Sequence, residues 1–153
     1  MEPPVDIESD DEGLNLWLLL VQARDAVHNA RHKELSKHNI SLGQASMLFA
    51  ISYLGDDVVP ARLSPLVFRK PNTVSDIIKR MEKEGLVSTK KDTKRKNVIR
   101  VSLTKKGKQL FKLALKRESI HGIMGSLSPA EKKQLKSGLK KLRDNAFREM
   151  ERW

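Results

Sequence analysis

The sequence predicts a mainly α fold that carries one small β-hairpin. Three observations support this. Apolar residues recur at helical spacing through five long stretches. Two short β-like runs, Leu86 to Lys90 and Val98 to Leu103, enclose the polar stretch KDTKRKN. Capping residues, Gly and Pro stand at the boundaries between the stretches.

In order along the chain, Leu14 to His38 has no Gly or Pro and repeats Leu14, Trp17, Leu18, Val21, Val27 and Leu35, which predicts one long amphipathic helix. Ser41 is placed to cap a second helix that Gly55 ends, and Asp56 to Pro60 reads as a connector. A short third helix is expected from Ala61 to Phe68, because the residue before Pro71 is disfavoured in the α region. Pro71 suits a first helical position. It opens a fourth helix with Val74, Ile77, Ile78 and Met81 on one face and Gly85 after its end. After the hairpin, Thr104 can cap a fifth helix to about Met124. Ser128 to Glu131 is a capping box opening a last helix to Trp153.

Charge adds a partner class. The 153 residues hold 30 Lys plus Arg against 19 Asp plus Glu, a net charge of +11, with 39% hydrophobic residues. That suits a folded protein that meets a polyanion. Residues 1–13 carry six acids and no base, leaving 30 bases and 13 acids in the rest. The leader is expected to be a disordered acidic tail, and residues 14–153 a single domain. Between Arg69 and Arg117 stand 17 bases and four acids, so the basic face lies in the middle third. With no Cys, disulfides, thiolate metal sites and thiol chemistry are excluded. No secretory or membrane segment is visible, so a cytoplasmic location without membrane contact is expected.

Two consecutive helices broken at Lys70 and Pro71, followed at once by a basic hairpin, form the pattern of a winged helix-turn-helix. Asn72, Thr73, Ser75, Asp76 and Lys79 stand opposite the apolar face of the second helix, where a major groove accepts small polar side chains. Arg69, Lys70 and Arg80 add charge at the turn and along the helix. Lys90, Lys91, Lys94, Arg95, Lys96 and Arg100 form a wing suited to phosphates or a minor groove. The expected partner is a double-stranded DNA operator.

The segments TVSDIIKRMEKEGLV (Thr73 to Val87), the wing from Asp92, and VSLTKKG (Val101 to Gly107) resemble the MarR family of multiple antibiotic resistance regulators. The resemblance covers nearly the whole chain after residue 13. It implies a winged helix-turn-helix (residues 41–103) flanked by long N- and C-terminal dimerisation helices (14–38 and 104–153), acting as a homodimeric repressor released by a small-molecule effector. It also implies a paired Asp and Arg in the wing. Counting back from Thr104, those positions hold Arg95 and Asn97, so the usual pair is expected to be missing, leaving Arg95 or Lys96 for groove insertion.

Leu135, Leu139, Leu142, Ala146, Met150 and Trp153 step along the last helix as a seam seeking a partner. With Leu14, Trp17 and Leu18 they form the expected dimer interface. His28 and His32, spaced i, i+4, could ligate a metal, but surface or pocket histidines fit better, and no cofactor is expected. No nucleophile elbow, phosphate loop or HExxH is present, so no enzyme is expected. The reading is a ligand-responsive, sequence-specific regulator. The alternatives are an architectural DNA-binding protein with little sequence preference and an interaction protein that binds no duplex.

Overall fold

The computed structural model describes residues 5, 8–95 and 97–151. The expected mainly α fold with one hairpin is observed. Helix α1 (Glu12–Ser36) begins inside the acidic leader, two residues before the expected start, because the Asp11 side chain accepts from the Leu14 amide at 3.1 Å. Helix α2 (Leu42–Leu54) is closed in front by the Ser41 and Gln44 capping box and behind by Gly55. It buries Met47, Leu48, Ala50 and Ile51.

The connector after α2 does more than connect. Val58 exchanges two backbone hydrogen bonds with Val101, at 2.9 and 2.8 Å, adding a one-residue bridge beside the hairpin. A single bridged residue has no periodicity, so nothing in the sequence announced it. The single third helix expected from Ala61 to Phe68 is instead a 3-10 turn, Pro60–Arg62, and a short helix α3 (Ser64–Val67), with Leu63 fully buried between them. Phe68 ends α3 at φ 51, in the left-handed region.

Helix α4 (Pro71–Lys83) takes Pro71 as its first residue and buries Val74, Ile78 and Met81. Gly85, at φ 72, turns the chain into strand β1 (Val87–Lys91). This pairs antiparallel with β2 (Ile99–Leu103), in a register that sets Val87 opposite Leu103 and Lys90 opposite Arg100. Thr104 caps α5 (Lys105–Ala114) by accepting from the Gly107 amide.

The expected fifth helix to Met124 is broken after Ala114, with Arg117 at φ 51. No Gly or Pro marks the break. Tertiary partners hold it: Arg31 donates to the Ala114 carbonyl, and the Arg117 guanidinium lies 5.3 Å from the Phe49 ring centroid. One core joins α2, α4 and the hairpin through Leu48, Ile51, Leu63, Ile78, Met81 and Val101. A smaller cluster sets Leu35 and Ile40 against Ala114.

Residues from Glu118 onward form a second compact unit, α6 (Glu118–Gly125) and α7 (Pro129–Met150). The Ser128 and Glu131 capping box opens α7, and every described residue of this helix is exposed. Trp153 and Lys96 lie outside the described residues. No described helix is long and apolar enough to cross a membrane.

Candidate nucleic-acid interface

Burying Val74, Ile78 and Met81 turns the other side of α4 outward, and Asn72, Thr73, Asp76, Lys79 and Arg80 are exposed there. Ser75 is half-buried on the flank. Arg69 and Lys70 are exposed in the turn that enters α4. The polar face is therefore presented by a helix whose opposite side is fixed in the core.

The wing is joined to that helix by Glu82, whose Oε1 accepts from the Thr89 amide at 3.0 Å and from the Thr89 hydroxyl. Lys90 and Arg100 face each other across the hairpin, a repulsive arrangement that two acids neutralise. Asp57 pairs with Lys90 at 2.8 Å, and the Lys90 hydrogen bond holds its carboxyl below the ordinary range. Asp92 is buried at 7% exposure and accepts from the Arg95 and Lys94 amides, each at 2.8 Å, and from Arg100 Nε. Those two amide bonds, followed by the Arg100 bond, lower its pKa.

The positions of the usual pair hold Arg95 and Asn97, and an Asp and Arg pair forms elsewhere in the wing. Asp92 and Arg100 supply one from positions eight residues apart, which the antiparallel register brings together. Arg100 also donates through Nη1 to the Asp57 carbonyl at 3.0 Å, so its guanidinium braces the root of the wing. Lys94 and Arg95 are exposed at the tip, and among the described residues neither side chain has a hydrogen bond or ion pair. Lys91 is exposed on β1 beside them. Asp57 and Glu82 had not been singled out, and Asp92 had been named only as the start of the wing. Asp92 carried a visible signal, being the one acid between Gly85 and Arg117.

Away from the wing, Leu14, Trp17, Leu135, Leu139, Leu142 and Met150 are exposed, and Leu18 is half-buried. Among the described residues, no group of three His, Asp or Glu side chains is placed to hold a metal ion.

The same fold recurs in solved structures. Mutant MarR from E. coli in complex with operator DNA matches at a TM-score of 0.79 and 18% identity, over 89% of this chain and 99% of that one. A MarR-family regulator from Rhodococcus matches at 0.74 and 18%, over 88% and 96%. At those identities only the fold is shared. The organohalide-sensing RdhR transcriptional regulator in its ligand-free form is nearer, at a TM-score of 0.83 and 30% identity over 95% of this chain and 88% of that one. The chain belongs to the MarR family. Its neighbours are transcriptional regulators, some solved on DNA and some with ligand bound, and the RdhR regulator was also solved with 2,4-dichlorophenol. No family model and no curated protein matches the sequence. In this MarR-family chain Asp92 and Arg100 brace the wing.

Proposed function

We propose that this MarR-family chain is a homodimeric, sequence-specific DNA-binding repressor whose operator occupancy is set by a small-molecule effector. The observation that carries the reading is the outward polar face of α4 beside a wing tip with two uncommitted cations, both held to one core. A rigid helix fits the reading of base edges, and a cationic tip fits the anchoring of phosphate. The contacts are assigned to Asn72, Thr73, Asp76, Lys79 and Arg80 on α4, with Arg69, Lys70, Lys94 and Arg95 on the backbone. Lys96 belongs with the tip by sequence.

Two grooves support the dimer. One, on α1, has Leu16 and Leu19 rimmed by Glu8 and Glu12. The other, between α6 and α7, has an apolar floor including Leu135 and Leu139 with Lys132, Lys136 and Lys140 along its rim. They complement each other in charge and in apolar surface, as facing patches of two copies require.

The test is selection of bound fragments from a genomic library, followed by transcription from the recovered promoter. A recovered operator, reduced transcription with protein, and recovery on adding an effector support the reading. The first probe is 2,4-dichlorophenol, the molecule bound by the RdhR relative. Uniform retention of all fragments would point instead to an architectural protein, since specific binders gain ~1,000-fold or more over other sites.

A further inference from the structure

The outward face of α4 carries an acid at its crest. Advancing about 100° per residue, Asp76 lies roughly 170° from the mean direction of Val74, Ile78 and Met81, the side chains that bury the helix. Asn72, one turn earlier, shares the crest, while Thr73 and Ser75 sit on the flanks at roughly 110° and 90°. Asp76 is exposed, and among the described residues its carboxylate has no hydrogen-bond or ion-pair partner. Arg80, which could have neutralised it, donates from Nε to the Asp76 main-chain carbonyl at 3.4 Å.

A carboxylate at the leading edge of a DNA-reading helix is repelled by phosphate and, as an acceptor only, needs a donor to offset that cost. The donors in a major groove are exocyclic amino groups, N4 of cytosine and N6 of adenine. Adenine sets its N7 acceptor beside N6, which opposes a second acceptor. Guanine offers two acceptors, and thymine an acceptor and a methyl group. Cytosine alone presents an amino donor with no acceptor on its own edge.

We propose that Asp76 is a specificity-determining residue that selects cytosine at one position of each operator half-site. The assignment rests on the DNA-reading function proposed above. The same charge also weakens binding to sites without that cytosine, because a mismatched base leaves the carboxylate facing acceptors.

The experiment is repeated selection from a pool of random duplexes at low salt, using the full chain, followed by sequencing. Wild type, Asp76→Ala and Asp76→Asn are compared after circular dichroism confirms equal helix content. Wild type is expected to enrich cytosine at one position per half-site. Asp76→Ala should lower that enrichment on the order of tenfold while raising retention of unselected duplex. Asp76→Asn should move the preference at that position to adenine, which an amide meets at both N6 and N7. An enriched motif that neither substitution alters overturns the role of Asp76 and leaves the DNA-reading function standing. Failure of wild type to retain any duplex overturns both.

Discussion

Asp92 shows how one side chain sets the shape of a functional loop. Its two oxygens hold the tip amides of Lys94 and Arg95 and the Arg100 guanidinium together, so the tip cations are presented by a turn that has internal support. Its folded pKa lies below the ordinary carboxylate value of 3.8. The stabilisation is therefore complete at neutral pH, and it is lost as pH falls below that value through the lowered folded one. Hydrogen exchange at the Arg95 and Val98 amides should be faster in Asp92→Ala than in wild type at pH 7, and the difference should shrink as pH is lowered toward 3. Equal protection of both amides in the two proteins at pH 7 would show that the turn holds without the carboxylate. The sequence exposed Asp92 as an isolated acid in a basic stretch, yet its partner was hidden because pairing across a hairpin depends on register.

At the scale of elements, legibility followed the location of the stop signal. Ser41, Gly55, Pro71, Gly85, Thr104 and Ser128 act within a turn of themselves, and the helix ends they set are found where expected. The end of α5 depends on Arg31 and Phe49, distant in sequence, so periodicity alone ran through it. Gly107 is a further tertiary requirement: a Cβ there would stand 2.0 Å from the Leu86 carbonyl oxygen, which is backbone and cannot swing aside. Gly107→Ala should lower stability by about 1–3 kcal/mol or more, read as a shift in the urea midpoint. Gly85→Ala strains the left-handed turn after α4 and should lose about 1 kcal/mol.

Helix and wing should also separate in binding. Thr73→Ala should cost ~1–3 kcal/mol on the operator and little on scrambled duplex if a base contact is lost. Lys94→Ala with Arg95→Ala should weaken both duplexes and reduce the salt slope by about one per phosphate contact. The same slope change from both sets would refute the division between base reading and anchoring.

For the whole molecule, the exposed apolar surface is the feature that one chain leaves unexplained. Trp17 is 58% exposed, Leu142 56% and Met150 71%, and burial of such side chains is worth ~1.5–3 kcal/mol each before entropy costs. The acidic rim on α1 and the cationic rim on α7 give the proposed dimer a charge signature as well. Reversing one rim, with Lys136→Glu and Lys140→Glu, should set like charges against Glu8 and Glu12 of the second copy. Exposed pairs contribute ~0.2–1 kcal/mol each and are doubled by two-fold symmetry, so the dimer dissociation constant should rise on the order of tenfold at low salt. The effect should fade as added salt screens the rims. Adding Glu8→Lys and Glu12→Lys to the same chain restores opposite signs, and dimerisation should recover. Sedimentation equilibrium across a salt series reads all three proteins. If the fourfold variant dissociates as readily as the twofold one, the rims do not face each other, and the two copies must meet through other surfaces.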